Sequence, residues 1–171
     1  MSLLQAIHNF DLLAFDWCLK RKSRNLLVTI SRWVSRSADG HLYIIAGLYL
    51  GITTQWQILQ VMVWAFFLER TLYFVTKNKL KRNRPQQAIP GYISIIQPSD
   101  QFSFPSGHTS AAFLIFGLFG AFFPAMYFAL FFWAICVGLS RVILGVHFPT
   151  DCLAGATIGL SISQLCLALV S

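Results

Sequence analysis

QILQVMVWAFFLERTLYFVT, residues 57–76, decides the architecture of this chain. A helix of that length rises about 30 Å, the thickness of a bilayer's hydrocarbon core, and Glu69 and Arg70 are its only charges. Toward the N-terminus lies GHLYIIAGLYLGITT, residues 40–54. It is short for a span, so it must stand upright or borrow flanking residues, and a tight turn at Thr53–Gln57 makes the two stretches antiparallel. Toward the C-terminus a polar segment from Lys77 to Phe104 precedes three further apolar stretches, 107–123, 125–142 with Pro124 at the break, and 150–170. These are rich in Gly and Ala, which let helices approach closely. Hydrocarbon offers no partner to a backbone N–H or C=O, so the spans must be helices. The expected fold is an all-α polytopic membrane bundle of about five to six spans.

Composition agrees. Of 171 residues 56% are hydrophobic and 11% charged, with mean hydropathy +0.63, whereas about a quarter of a soluble domain's residues are charged. A soluble globule is excluded. No Pro/Ser/Gly-rich linker divides the chain, so 1–171 reads as one membrane-embedded domain, with residues 40–171 as its helical bundle. Residues 1–36 differ. Leu4, Ile7, Leu12, Phe15 and Leu19 are interrupted by His8, Asp11 and Asp16, and Leu26, Leu27, Ile30, Trp33 and Val34 alternate at helical spacing with Arg24, Arg32 and Arg36. That pattern predicts amphipathic helices on the membrane surface. A secretory signal peptide is not expected, because the basic cluster follows the apolar stretch and no small-residue cleavage site is evident. Cys18, Cys136, Cys152 and Cys166 lack metal-site spacing and read as small buried hydrophobes. Glu69 and Arg70 sit at a depth where charges are costly unless paired or facing the bundle interior, and Glu69 is expected to find a hydrogen-bonding partner on a neighbouring helix or in the polar cavity, the alternative being that it lies within a turn or two of the interface and snorkels.

Three short stretches carry chemistry. Lys77 ends the second span and Arg84-Pro85 follows within KNKLKRNRP, so an ammonium and a planar guanidinium can approach one anion from two directions. Alone, this is equally a basic patch touching lipid headgroups. Pro105-Ser106-Gly107-His108 precedes an apolar helix, whose free N–H groups and dipole favour an anion, and His108 is placed to donate a proton to a leaving oxygen. In SRVILGVHFPTD, residues 140–151, Arg141 ends one span, while His147 and Asp151 stand four apart where the next begins. Asp151 there can accept a hydrogen bond from one imidazole nitrogen and leave the other facing a phosphate, as a nucleophile requires.

Together the residues Lys77, Arg84, Pro85, then Pro105, Ser106, Gly107, His108, then Ser140, Arg141, His147, Asp151 fill every fixed position of K-x6-RP, PSGH and SR-x5-H-x3-D. In them the chain resembles the type-2 phosphatidic acid phosphatase superfamily, the lipid phosphate phosphatases. The resemblance covers Lys77 to Asp151 directly. It implies that His147 is the nucleophile that becomes phosphohistidine, that Asp151 orients it, and that His108 protonates the departing group. It further implies that Lys77, Arg84 and Arg141, with Ser106 and the Gly107 amide, hold the phosphate oxygens, with no metal and no cofactor. Phosphoryl transfer needs mainly such positioning and charge stabilisation.

The superfamily also includes soluble phosphatases, so the motifs do not fix a substrate. The bilayer setting implies a membrane lipid phosphate, such as phosphatidic acid, phosphatidylglycerophosphate, a polyprenyl diphosphate or a lipid A phosphate. The partners expected are that lipid and the bilayer, with no nucleic acid. A non-catalytic protein binding lipid phosphate is the alternative, but it would be expected to lack His108 or His147. A channel or transporter finds little support, without inverted repeats or a midplane ion site. The bacterial inner membrane is the expected location. Two arguments about sidedness collide: with five spans, all thirteen Lys and Arg fall on or nearest the catalytic face, which the positive-inside rule places in the cytoplasm, whereas the resemblance implies a periplasmic site.

Overall fold

A computed structural model describes residues 3–19 and 24–170. Every element among them is helical: α1 Leu3–Leu19, α2 Arg24–Ser37, α3 His41–Ile52, α4 Trp56–Leu80, the single turn α5 Pro85–Ala88, α6 Gly107–Phe122, a 3-10 turn Pro124–Met126, α7 Tyr127–Ile143 and α8 Pro149–Ala168. The basic residues Lys20, Arg21 and Lys22 lie outside the described residues.

This is an all-α membrane bundle. Trp56–Ala88, Pro124–Ile143 and Pro149–Ala168 are long and apolar enough to cross a membrane, and α6 is a shorter apolar helix. The stretch at 40–54 forms only the 12 residues of α3, about 18 Å of rise, and does not cross unaided. Its turn runs through Thr53–Gln55, with Thr54 at φ 59° and the Gln55 amide donating to the Leu50 carbonyl, and α3 packs back on α4. Outward-facing Trp64, Phe67 and Phe74 on α4 and Phe128 and Phe132 on α7 are exposed, as lipid-facing side chains must be.

Helices α6 and α8 make the most extensive pairing of the bundle. Glycines permit it. A Cβ at Gly155 would lie 2.5 Å from the Ser106 carbonyl oxygen, and one at Gly159 would lie 2.2 Å from that of Ser110. The N-termini of α6 and α8 are thereby brought side by side, and the Ser106 amide donates to the Asp151 carbonyl at 3.0 Å.

The N-terminal helices correct one expectation in part. On α2, Leu26, Ile30 and Trp33 are exposed while Ser31 and Ser35 are buried. The apolar face is therefore free for lipid and the serine face packs on α7. On α1, Asp11 looked like a polar interruption of a surface helix, yet its exposure is 0%. Phe15 beside it is also buried, edge-on to Tyr92 and Phe148. The α1 helix is thus docked on the bundle through both a charge and an aromatic ring.

Candidate active site

All the motif residues converge at one end of the bundle. Lys77 lies in the last turn of α4, which Lys81 ends in the left-handed conformation at φ 45°. The Lys77 ammonium donates to Tyr73 Oη and pairs with Asp100 Oδ1 at 2.7 Å. Arg84, 1% exposed, immediately precedes α5. Its guanidinium donates to Asp100 Oδ1 at 2.6 Å, to the Asp100 carbonyl at 2.9 Å and to the Val146 carbonyl at 2.6 Å, and lies 3.4 Å from His147 Nε2. Tyr73 Oη donates to Asp100 Oδ2 at 2.7 Å. Burial alone would raise the Asp100 carboxyl, but hydrogen bonds from Lys77, Tyr73 and Arg84 and the Lys77 charge hold it at about 2. One carboxylate thus pairs with two of the three expected phosphate cations.

The α6 terminus supplies the next group. Ser106 is fully buried, with its Oγ 2.9 Å from Thr109 Oγ1. At Gly107 a Cβ would meet the Tyr73 ring at 2.8 Å, so the glycine lets α4 and α6 close over the site. His108 Nε2 lies 2.8 Å from Asp39 Oδ1, which is contributed by the α2–α3 junction. Arg141 is buried at the end of α7. Its Nη1 donates to Ser35 Oγ of α2, and its Nε–H has no partner among the described residues.

Gly145, at φ +77°, turns the chain after α7 so that His147 returns to the site. The His147 ring is buried, with Nε2 toward Arg84 and Nδ1 3.8 Å from Asp151 Oδ2. That separation exceeds a hydrogen bond, and Nδ1 has no partner among the described residues. The expected His147–Asp151 pair is therefore adjacent but open, because the carboxylate is engaged elsewhere. Asp151 Oδ2 accepts from the Phe148 amide at 2.8 Å, as an acidic group in a first helical turn does, and from Ser103 Oγ, while Oδ1 accepts from Arg82 Nη1 at 2.8 Å. Burial presses the His147 pKa down to about 4, aided by the Arg84 and Arg141 charges and opposed by Asp151. The imidazole is thus neutral near pH 7.

A cavity of about 590 Å³ is lined by His108, His147, Asp100, Gly107, Arg70 and Tyr43 among others, and a neighbouring one of about 240 Å³ by Arg32, Arg36, His108 and Arg141. His108 borders both. Glu69, fully buried, pairs with its neighbour Arg70, whose Nη2 donates to Glu69 Oε1 at 2.6 Å and to the Gly107 carbonyl at 3.2 Å. The partner of Glu69 is thus its neighbour on the same helix and not a residue of another one, and Glu69 meets the expectation only through the cavity that Arg70 lines.

Sequence reasoning missed Asp100, Asp39, Ser35, Ser103, Arg82 and Asp11. Two left a trace in the chain: Arg82 stands two residues before Arg84, and Asp100 is the only carboxylate in the polar segment between α4 and α6. Among the described residues no group of three His, Cys, Asp or Glu is placed to hold a metal ion.

A family profile described as PAP2 superfamily matches residues 56–171. The chain belongs to the PAP2 superfamily. It is similar to a lipid A 1-phosphatase of Rhizobium johnstonii, 40% identical over 37% of this chain and 26% of that protein. It is also similar to phosphatidylglycerophosphatase B of Bacillus subtilis, 33% identical over 58% of this chain and 52% of that protein. The chain thus spans about a quarter and about half of these curated relatives. The crystal structure of Aquifex aeolicus LpxE superposes with TM-score 0.82 at 26% identity, covering 92% of this chain and 94% of that one. The PAP2 match begins at Trp56, so Asp11, Ser35 and Asp39 lie on helices and junctions outside it.

Proposed function

We propose that this membrane protein is a lipid phosphatase working through a phosphohistidine on His147. The observation that carries the proposal is the gathering of three buried cations about two histidines: Lys77 and Arg84 share Asp100, Arg84 lies 3.4 Å from His147, and Arg141 lines a cavity with His108. Entering phosphate displaces Asp100 from Lys77 and Arg84 and meets the unpartnered Arg141 Nε–H, the amides at the start of α6 also being free to donate. His147 Nε2 attacks phosphorus, the bond to the lipid oxygen breaks, and His108 gives that oxygen its proton. Water then attacks the phosphohistidine and loses its proton to His108. The P–N bond breaks, releasing phosphate and the neutral imidazole. Asp151 lies where it can balance the charge on the phosphorylated ring.

The three cations occupy the charge-stabilising role that divalent ions fill in other phosphotransferases, so the reaction is read as metal-independent. The lipid class follows from a site at the membrane end of the spans, where a headgroup enters while its tails stay in the bilayer. Names of relatives support a glycerophospholipid or lipid A phosphate, and a polyprenyl diphosphate has the same reacting chemistry.

Purified protein in detergent, assayed for phosphate release over a panel of these lipids, tests the reading. Activity should survive EDTA, be inhibited by vanadate, and fall by three or more orders of magnitude in His147→Ala. A folded His147→Ala variant with wild-type turnover would overturn the mechanism. We place the site on the periplasmic face of a bacterial inner membrane. Gln87→Cys, in a background lacking the native cysteines, should react with an impermeant thiol reagent in intact cells, and protection until lysis would put the site in the cytoplasm, as the basic residues argue.

A further inference from the structure

Asp11 and Arg82 are not among the motif residues, yet they join Thr150 and Asp151 in a closely bonded charged cluster. Arg82 Nη2 lies 2.5 Å from Asp11 Oδ2, and Nη1 lies 2.8 Å from both Asp151 Oδ1 and Thr150 Oγ1. The Thr150 amide donates to Asp11 Oδ1 at 3.1 Å, and its hydroxyl donates to Asp11 Oδ2. The guanidinium stacks 4.6 Å from the centre of the Phe148 ring, and its own carbonyl accepts from the Ser103 amide at 2.8 Å. Ser103 Oγ in turn bonds Asp151. Both carboxylates are wholly buried.

We infer that Asp11 of α1 and Arg82 are positioning residues for the phosphoryl transfer: Arg82 fixes the Asp151 carboxylate beside His147, and Asp11 neutralises Arg82 so that Asp151 keeps its charge for the imidazole. The inference rests on the phosphohistidine reading above. Asp151 has about four lone-pair positions. Phe148 N–H and Ser103 Oγ fill the two on Oδ2 and Arg82 one of those on Oδ1, so His147 Nδ1, 3.8 Å from Oδ2, can join them by sharing Oδ2 or by taking the open position on Oδ1. Closure of about 1 Å completes that bond. It is needed when Nε2 takes the phosphoryl group and the ring becomes cationic. An Arg82 acting alone would cancel the charge of Asp151 at that moment. With Asp11 on its other side, the set of two buried carboxylates and one half-buried guanidinium retains one negative charge, adjacent to the group that turns positive. Arg84 and Arg141 face the same imidazole from the other side and are common to every variant below. A helix outside the PAP2 match therefore sets the electrostatics of the centre.

The simpler role for Asp11 is to pin α1 to the bundle, and the two roles separate experimentally. The full chain is assayed in detergent on whichever lipid phosphate the wild type hydrolyses fastest. Asp11→Asn should lower kcat about tenfold, leave KM and vanadate inhibition within about twofold, and move the acid limb of kcat/KM down by about half a pH unit, because a negative charge near His147 has gone. Asp11→Asn with Arg82→Met removes both charges of the pair and should return the limb toward wild type. A pinning role makes the double variant worse than either single one. Should Asp11→Asn not fold, Arg82→Lys keeps the charge but loses the fork, and should show the same loss of kcat at constant KM. Wild-type kcat and acid limb in folded Asp11→Asn, or wild-type kcat in Arg82→Lys, overturns the inference. His147→Ala is measured alongside. Activity surviving there removes the phosphohistidine reading and this inference with it, whereas activity abolished there with unaltered Asp11→Asn kinetics overturns this inference alone.

Discussion

Replacing Gly155 by alanine should disable the enzyme without unfolding it. Gly155 stands one helical turn beyond Asp151 on α8, and its added methyl would sit 2.5 Å from the Ser106 carbonyl oxygen and 3.2 Å from the Ser110 amide nitrogen. Ordinary contact begins near 3.4 Å, so α8 must retreat from α6 by about 1 Å. Backbone cannot rotate away as a side chain can. The retreat carries Asp151, and His147 before it, away from Ser106–His108, whose amide now reaches the Asp151 carbonyl at 3.0 Å. Overpacking of this kind costs about 1–3 kcal/mol of stability, while a displacement of about 1 Å in a reacting constellation costs about 100-fold in rate. The assay is kcat/KM for phosphate release in detergent, with thermal unfolding of the same preparation. Gly51→Ala is the control, since its methyl would meet only Leu59 at 3.8 Å. A Gly155→Ala enzyme within threefold of wild type would refute the claim that this contact sets the spacing of the two motifs.

Three further outcomes are expected. Arg70→Met should destabilise the protein by roughly 2 kcal/mol by stranding Glu69, less than a fully buried pair because Arg70 is 40% exposed; the double variant with Glu69→Gln should recover most of the loss in thermal unfolding, and no recovery would count against the pairing. Because the folded His147 pKa is about 4 against an ordinary 6.5, its contribution to stability is complete above about pH 6.5 and is lost as pH falls toward 4. Wild type should therefore lose stability more steeply than His147→Gln across that window, and parallel curves would show that the imidazole is not held neutral. Asp100→Asn removes the internal carboxylate that competes for Lys77 and Arg84, so vanadate should inhibit at a several-fold lower concentration; equal or weaker inhibition would show that Asp100 orders the cations instead.

How much of this was legible in the chain depended on the range of the interaction concerned. Apolar runs of about twenty residues specify helices in a bilayer without reference to one another, and four of the expected spans became α4, α6, α7 and α8 within a few residues. The motif residues were legible for a related reason. Lys77 at a helix end, Ser106–His108 at a helix start, and His147 four residues before Asp151 are local geometries that spacing encodes. Charge compensation is not local. Asp11 meets Thr150 across 139 positions and Arg82 meets Asp11 across 71, and no periodicity records either contact. In the sequence, Asp11 could only be a polar break in an amphipathic helix. The tertiary structure decided that it is buried, that Asp39 meets His108 and Asp100 meets Lys77 and Arg84, and that the Asp151 carboxylate is held open beside His147, because each depends on which distant surfaces the glycine-lined contact of α6 and α8 draws together.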